Sequence, residues 1–303
     1  MLETTKLFGT QIFLLCLILV GVITVKVRIV DEHTRFSLSD LVLSVFLPCT
    51  IFSAFLGTDS SQLPSLGIIL AISLGLLTLN FLLSQLLFHK AGPKQKKVLI
   101  YGIIISSANF LGNPIVENIY GLEGLTYVAA YLIPLRVAVW TLGIALFAGG
   151  KSSLKKIILH PCMVATYLGL LVMITGYTPP AIVSRLVFSL ANCTTPVSMM
   201  VVGNILAMVN PKKIFDRWTV YFTFIRLILI PLLAMGVVLI FRPGPMIAGI
   251  SVILSGMPAA VTTSILADKY DADKELACKI IFMTTLLSIF TAPALAWLVH
   301  YAL

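Results

Sequence analysis

The chain has 303 residues, of which 59% are hydrophobic and 11% are charged, whereas an ordinary soluble domain carries about 25% charged residues. At a mean hydropathy of +1.04, it has too few polar residues to cover a water-soluble surface. These values, with a formal net charge of +9, exclude a soluble domain and predict an all-α integral membrane protein with little mass outside the bilayer.

Apolar runs separated by short polar breaks predict ten transmembrane helices. In chain order the helices are expected near residues 7–26, 39–57, 65–88, 98–120, 125–149, 157–175, 181–208, 218–241, 245–267 and 275–301. Ten helices of about 20 to 25 residues would use most of the chain. No room is therefore expected for a separate extramembrane domain.

The basic residues divide unequally between the two sides of the predicted membrane. The connections that follow odd-numbered helices hold 16 of the 21 Lys and Arg residues. Short cytoplasmic loops are enriched in Lys and Arg, so both termini are expected on the outer side of a plasma membrane. The positive net charge is thus an orientation signal facing anionic lipid, and no nucleic-acid partner is expected.

The two halves of the chain share glycine and proline residues in the same order. The matching pairs are Gly21 with Gly169 and Pro48 with Pro196, both 148 residues apart, and Pro114 with Pro258, 144 residues apart. Ten helices divide into two sets of five, and because five is odd the second set would be inverted. We therefore predict repeats over residues 1–150 and 151–303.

The fourth and ninth helices each contain proline beside glycine near the middle, in Gly112–Pro114 and Gly256–Pro258. A proline inside a helix removes an amide donor, and within lipid the freed carbonyl must be satisfied by protein or by water in a cavity. One such proline alone is more often a structural kink. Two at equivalent repeat positions predict broken, crossing helices beside a transported substrate.

The polar residues around the first break are typical of an anion site. Asn109 and Asn113 are four residues apart and share a helical face. Asn113 followed by Pro114 is typical of the start of a new half-helix, whose free amides would face an anionic ligand. Glu117 lies one turn further on, either in the cavity or at the solvated outer end.

Other candidates lie on the second, seventh, eighth and ninth helices. Hydroxyl residues accompany proline in LPCTIFSAF and NCTTPVSMMVVGN, where they either allow close helix packing or line a cavity. Arg226 lies inside the eighth helix, where it either pairs with a substrate carboxylate or is satisfied by snorkelling or backbone carbonyls. The expected substrate-binding residues are Asn109, Asn113, Pro114, Glu117, Asn192, Thr195, Arg226, Pro258 and Thr262.

Motifs of metal sites and enzymes were sought among the remaining residues. The five cysteines form no CxxC pair, and neither H-E-x-x-H nor G-x-S-x-G is present. The segment AGGKSS lacks the first glycine of a phosphate loop and follows a membrane helix instead of a soluble strand. We therefore expect no catalytic residues, no metal site and no cofactor.

Several segments resemble those of the auxin efflux carrier family. They are SANFLGNPIVENIYGLEGL, SGMPAAVTTSILADKYDADKELA, LPCTIFSAF, TPVSMMVVGNILA and RLILIPLL, and together they follow the family's order over most of the chain. The family includes plant auxin exporters and bacterial permeases proposed for malate and malonate. Because the long cytosolic loop of many plant members is missing after the fifth helix, the chain is most similar to the short bacterial permeases.

The resemblance implies a fold related to bile-acid symporters and sodium/proton antiporters, with proline crossovers at Pro114 and Pro258 beside Asn109 and Asn113. It also implies that helices one, two, six and seven form a scaffold while the other six carry the substrate. The expected function is secondary transport of small organic anions, mainly carboxylates, by alternating access. Proton or sodium coupling and a homodimer are left open.

Two alternative functions remain at this point. A non-transporting membrane sensor or interaction protein would give no flux in vesicles. A cation-coupled symporter for a neutral or steroid-like solute would give substrate-dependent cation flux. Neither is separated from carboxylate transport by the residues alone.

The charge distribution generates a prediction about orientation. Single cysteines at Gln62 and at Ser153, each in a cysteine-free background, would be exposed to a membrane-impermeant thiol reagent in intact cells. With both termini outside, the cysteine at position 62 reacts and the one at position 153 does not. The reverse labelling pattern would overturn the topology.

Overall fold

A computed structural model describes residues 2–56, 63–109, 111–148, 159, 161–208 and 215–302 of the chain. Within this part, the backbone is helical apart from turns, short connections and one isolated antiparallel bridge, between Ser106 and Ala259. The predicted all-α fold is confirmed, whereas the arrangement of ten helices as two inverted repeats stays a prediction. The two labelling positions, Gln62 and Ser153, lie outside the described residues.

Six helical segments of the described chain are long and apolar enough to cross a membrane, judged by length and composition. They are His33–Phe55, Leu63–Leu87, Gly112–Val139, Ala181–Asn204, Arg217–Phe241 and Lys274–Val299. Shorter apolar helices cover Cys16–Lys26, Pro161–Thr175 and Pro245–Ser255. Several of the long segments join two consecutive helices through a local irregularity.

The first half of the chain forms helices whose ends follow the local sequence. In order they are α1 (Leu2–Lys26), α2 (Glu32–Leu41), α3 (Leu47–Phe55), α4 (Leu63–Leu87), α5 (Pro93–Ile104), α6 (Gly112–Trp140) and α7 (Leu142–Ala148). Helix α2 begins after Asp31, whose carboxylate accepts a hydrogen bond from the Thr34 amide at 2.7 Å. Helix α6 changes direction at Gly121, which adopts a positive φ of 65° inside it.

The second half continues with eight helices in its described part. They are α8 (Pro161–Thr175), α9 (Ala181–Ala191), α10 (Thr194–Met208), α11 (Arg217–Phe224), α12 (Ile230–Phe241), α13 (Pro245–Ser255), α14 (Thr262–Lys269) and α15 (Lys274–Ala302). Asp216 caps α11 by accepting a hydrogen bond from the Thr219 amide at 2.9 Å. Burial alone would raise the pKa of Asp216, but hydrogen bonds from Thr219 and Lys279 lower it below its ordinary value.

Two prolines are accommodated by a short stretch of wider helix before them. The π-helical turns Val42–Phe46 and Ile225–Leu229 each end two residues before a proline, Pro48 and Pro231. Because proline has no amide hydrogen, the ordinary four-residue hydrogen-bonding register cannot continue through it. The amide before each proline bonds five residues back instead, as Ile230 does to the Ile225 carbonyl, so the helix axis continues.

The chain forms two compact units that interleave along the sequence. Unit 1 comprises Met1–Ile68, Asn109–Ala130 and Lys155–Met208, and unit 2 comprises Ile69–Ala108, Tyr131–Leu154 and Val209–Leu303. Each unit draws on both halves of the sequence. The predicted boundary near residue 150 concerns sequence repeats and stays a prediction.

In unit 1, helix α1 packs against α10 through two glycines. A Cβ atom on Gly21 would overlap the Met200 carbonyl group, and one on Gly203 would overlap the Ile18 carbonyl oxygen. Beside this contact, the side-chain amide of the buried Asn204 lies 3.0 Å from the Thr24 hydroxyl. Small residues thus bring the two backbones together, as in many membrane helix pairs.

Unit 2 has an aromatic cluster at one end of α11. Phe88 packs against Trp218, Tyr221 and Phe222 with ring centroids 5.9 to 6.2 Å apart. Gly102 of α5 lies beneath it, where an added Cβ would approach the Phe222 ring to 2.9 Å. The cluster therefore anchors the start of α11 next to α5, which positions the break described below.

The glycine contact between α1 and α10 generates a prediction about stability. Gly203→Ala should destabilise the protein by about 1–3 kcal/mol, because the new methyl group meets a backbone carbonyl that cannot rotate away. The measurement is thermal unfolding of the purified protein in detergent. Gly67→Ala is the matched control, since that glycine is exposed and has nothing within 4 Å. Equal unfolding temperatures for the two variants would contradict this account of the packing.

Candidate functional site

Unit 1 contains a cavity of about 510 Å³, which is within the usual range for a small-molecule site. Its described polar lining residues are Thr50, Ser53, Asn113, Glu117, Asn118, Asn192, Thr194 and Thr195. Its apolar lining residues include Phe13, Leu122, Leu125 and Phe188. Such a mixture suits a small ligand with both polar and hydrocarbon parts.

Two helix N-termini contribute to the cavity. Asn113 and Pro114 belong to the first turn of α6, and Thr195 and Pro196 belong to the first turn of α10. The first amides of a helix have no intrahelical acceptor, and the helix dipole places partial positive charge there. Both ends therefore favour a negatively charged group in the cavity.

Asn113 is the most constrained polar group of the lining. Its side chain is 5% exposed, and its Oδ1 atom is buried without a hydrogen-bond partner in the described part of the chain. Leaving a buried acceptor unpaired typically costs about 1–3 kcal/mol, so such groups are rare unless a ligand or water completes them. A water molecule or a protonated side chain could satisfy this oxygen, because it needs a donor.

Glu117 has the one ionisable side chain among the described residues of the lining. It lies four residues after Asn113 and so shares one face of α6 with it. No Lys, Arg or His accompanies it in the described lining. Glu117 is an exposed residue within α6 and lines the cavity, and its role in substrate binding stays a prediction.

Hydroxyl groups hold the wall opposite α6 in place. The Thr50 and Thr194 hydroxyls lie 2.7 Å apart and join α3 to α10, and the Ser53 hydroxyl donates to the Thr50 carbonyl at 2.9 Å. Both segments, LPCTIFSAF and NCTTPVSMMVVGN, were expected to serve packing or a cavity, but these three residues were not among the predicted site residues. Thr50 and Thr194 do both, because their hydroxyls join two helices and both residues line the cavity.

In unit 2, the chain breaks after α5 and after α13, and the two breaks pair with each other. The Ser107 amide donates to the Pro258 carbonyl at 2.8 Å, and the Ala260 amide donates to the Ile105 carbonyl at 3.3 Å. The Ala259 amide donates to the Thr284 hydroxyl at 3.2 Å. Backbone groups released by the breaks are thus satisfied within protein, as a membrane interior requires.

Arg226 supports both breaks from the π-helical turn before α12. Its Nε donates to the Met257 carbonyl at 2.8 Å, and its Nη1 donates to the Ile103 carbonyl at 3.0 Å. These carbonyls lie at or just beyond the C-terminal ends of α13 and α5, where a cation is favoured by the helix dipole. Arg226 is 2% exposed, so its charge lies in the protein interior, where it is hydrogen-bonded to these backbone carbonyls.

The predicted site residues therefore divide between the two units. Asn113, Pro114, Glu117, Asn192 and Thr195 come together around the unit 1 cavity. Arg226, Pro258 and Thr262 lie in unit 2, where the Thr262 hydroxyl accepts a hydrogen bond from Tyr101 at 3.0 Å. The side chain of Asn109 lies outside the described part of the chain.

For Arg226, the geometry corresponds to the alternative that backbone carbonyls satisfy it, and a substrate role stays a prediction.

Broken helices beside a polar cavity are typical features of helical membrane transport proteins. Residues 7–155 and 150–296 match the family described as "Membrane transport protein". The chain belongs to this auxin efflux carrier-like membrane transport family, as the sequence resemblance predicted.

Similar proteins carry transporter names. An "Uncharacterized transporter" of Methanothermobacter thermautotrophicus is 26% identical over 94% of this chain and 95% of its own length. Another, from Methanocaldococcus jannaschii, is 25% identical over 95% of this chain and 97% of its own. A protein of Rhizobium meliloti named "Putative malonate transporter" is 28% identical over 48% of this chain and 46% of its own length.

The contacts of Arg226 generate a prediction that separates support from substrate binding. Arg226→Gln should lower the free energy of unfolding by about 1–3 kcal/mol for each carbonyl left without a donor. Thermal or denaturant unfolding of the purified protein measures this, with Arg185→Gln at an exposed position as the matched control. Unchanged unfolding combined with weaker carboxylate binding would assign Arg226 to the substrate instead.

Proposed function

We propose that the protein is a secondary transporter for small carboxylates and that the substrate binds in the unit 1 cavity. The observation that carries the proposal is the polar cavity at two helix N-termini, whose lining includes the buried side-chain amide of Asn113. Membership of the transport family supports the transport step, and the name of the Rhizobium meliloti relative supports malonate as a test substrate.

The cavity offers the groups that a carboxylate needs. A carboxylate only accepts hydrogen bonds, and it is stabilised by amides at helix N-termini and by hydroxyl and amide donors. The first turns of α6 and α10 supply the amides, and Asn192 and Thr195 supply side chains at the same wall. The apolar residues Leu122, Leu125 and Phe188 would contact the hydrocarbon part of the substrate.

Alternating access around the broken helices would move the substrate across the membrane. The paired breaks near Ser106 and Ala259 support this, because they provide irregular backbone that is stable inside a membrane protein. Two inverted five-helix repeats, both termini outside and a plasma-membrane location complete the proposal. Asn109, Pro258 and Thr262 remain predicted contributors from the crossover.

The experiment measures binding and flux with the same purified protein. Malonate should raise the unfolding temperature by mass action, whereas its uncharged diamide should not. In proteoliposomes, labelled malonate should accumulate or exchange. Binding without any flux would favour the alternative of a membrane sensor, and absence of binding to mono- and dicarboxylates would contradict a carboxylate site.

A prediction for Asn113 tests the position of the site. Asn113→Ala removes the side-chain amide donor, Nδ2, from the cavity lining and should weaken malonate binding roughly ten- to a hundredfold, the range for a hydrogen bond to a charged group. The control is Leu82→Ala, whose side chain is 61% exposed on a helix of unit 2. Wild-type affinity in the Asn113 variant, with normal folding, would place the site elsewhere.

A further inference from the structure

The charges around the cavity do not balance when a carboxylate enters. The N-terminus of a helix acts as roughly half a positive elementary charge, so α6 and α10 together supply about one at most, since α10 directly follows the C-terminus of α9. Ionised Glu117 already neutralises that charge. A carboxylate substrate would add at least one further negative charge, with no Lys, Arg or His in the described lining to offset it.

The repulsion between ionised Glu117 and a bound carboxylate is large enough to decide whether the carboxylate binds. Two like charges about 5 Å apart, at an effective dielectric constant of about 20, weaken binding on the order of a hundredfold. The cavity therefore binds a carboxylate well only when Glu117 is neutral. Glu117 must be neutral while the carboxylate is bound, and it can ionise once the carboxylate has left. A residue that changes its charge in this way is suited to carry a proton.

The titratable surroundings of Glu117 are sparse. On α6, the titratable neighbours Tyr120 and Glu123 do not line the cavity. The described lining residues of α1, α3, α9 and α10 are all uncharged and do not titrate near neutral pH. No second ionisable side chain in the described lining therefore compensates a change in the charge of Glu117.

A proton on Glu117 would have a hydrogen-bond acceptor on the same face of α6. A protonated carboxyl group is a hydrogen-bond donor, whereas a carboxylate is not. Asn113, on the same face of α6, has a buried oxygen without a donor in the described part of the chain. Protonation of Glu117 thus supplies a donor on the face of α6 that carries the unpaired acceptor.

We propose that Glu117 binds one proton together with each carboxylate substrate, which makes the protein a proton–carboxylate symporter. This inference rests on the proposed carboxylate site. On one side of the membrane the Glu117 carboxylate takes a proton from water as the substrate enters, and on the other side both leave. An O–H bond of a hydronium ion breaks as the O–H bond of Glu117 forms, and the reverse transfer occurs on the other side.

A sodium ion would supply the same charge but would need several converging oxygen atoms. Two of the cavity hydroxyls, those of Thr50 and Thr194, are already hydrogen-bonded to each other, and the Ser53 hydroxyl donates to a backbone carbonyl. Glu117 is the single carboxylate among the described lining residues, so a metal ion there would have one charged ligand. The geometry favours the proton.

The test uses full-length protein in proteoliposomes that contain a trapped pH-sensitive dye. An inward malonate gradient should acidify the lumen of vesicles with the wild-type protein at constant, symmetrical sodium. Glu117→Gln, which resembles the protonated residue, should still bind and exchange malonate but should move no protons. At pH 7.5 it should bind malonate at least tenfold more tightly than the wild type.

Two controls keep the result specific. Glu123→Gln changes a carboxyl group on the same helix outside the cavity, and it should retain wild-type acidification. Comparison of variants at one pH removes the effect of malonate's own ionisation. Unfolding temperatures should match among the three proteins.

Wild-type proton movement in Glu117→Gln would overturn the proposal, and so would malonate flux that requires sodium at constant pH without acidification. Wild-type protein that binds no carboxylate at any pH would instead overturn the proposed function. The two failures are therefore distinguished by the binding measurement.

Discussion

The hydrogen-bonding requirement of the backbone governs the central part of unit 2. Inside a membrane no water is available for a carbonyl or amide freed by a broken helix, so the protein itself must supply the partner. The two breaks meet this need by pairing with each other around Ser106 and Ala259, and Arg226 supplies the donors for the helix ends. A buried charge is expensive, but here it faces the negative ends of two helices, which offsets part of its desolvation.

The cavity of unit 1 depends on the opposite ends of helices. There the N-termini of α6 and α10 present amides. The charged side chain of the described lining is the negative Glu117, whereas the helix ends of unit 2 are bonded by the positive Arg226. In both units, proline is what makes helix ends available within apolar segments, because it removes a donor and starts a new helix well. The same residue type therefore produces a site for a cation at one place and for an anion at another.

The surroundings of each proline in the folded protein explain which prolines break a helix and which do not. Pro48 and Pro231 are absorbed by π-helical turns, and their helices continue. Pro258 lies between two helices, after Gly256 and beside the paired segment at Ser106. A helix can break fully only where another backbone segment lies beside it, because that segment must satisfy the amides and carbonyls that the break exposes. The presence of proline alone does not decide whether the helix breaks.

The sequence by itself determined the class of the protein, because hydropathy, loop charge and proline spacing act locally and follow directly from the order of residues. It also placed Asn113, Pro114, Glu117, Asn192 and Thr195 among the candidates. Only the tertiary structure decided that these five line one cavity while Arg226 holds the carbonyls of Met257 and Ile103. The reason is physical: an arginine inside an apolar helix must find acceptors, but whether these belong to a substrate or to distant backbone depends on contacts 31 and 123 residues apart in the chain.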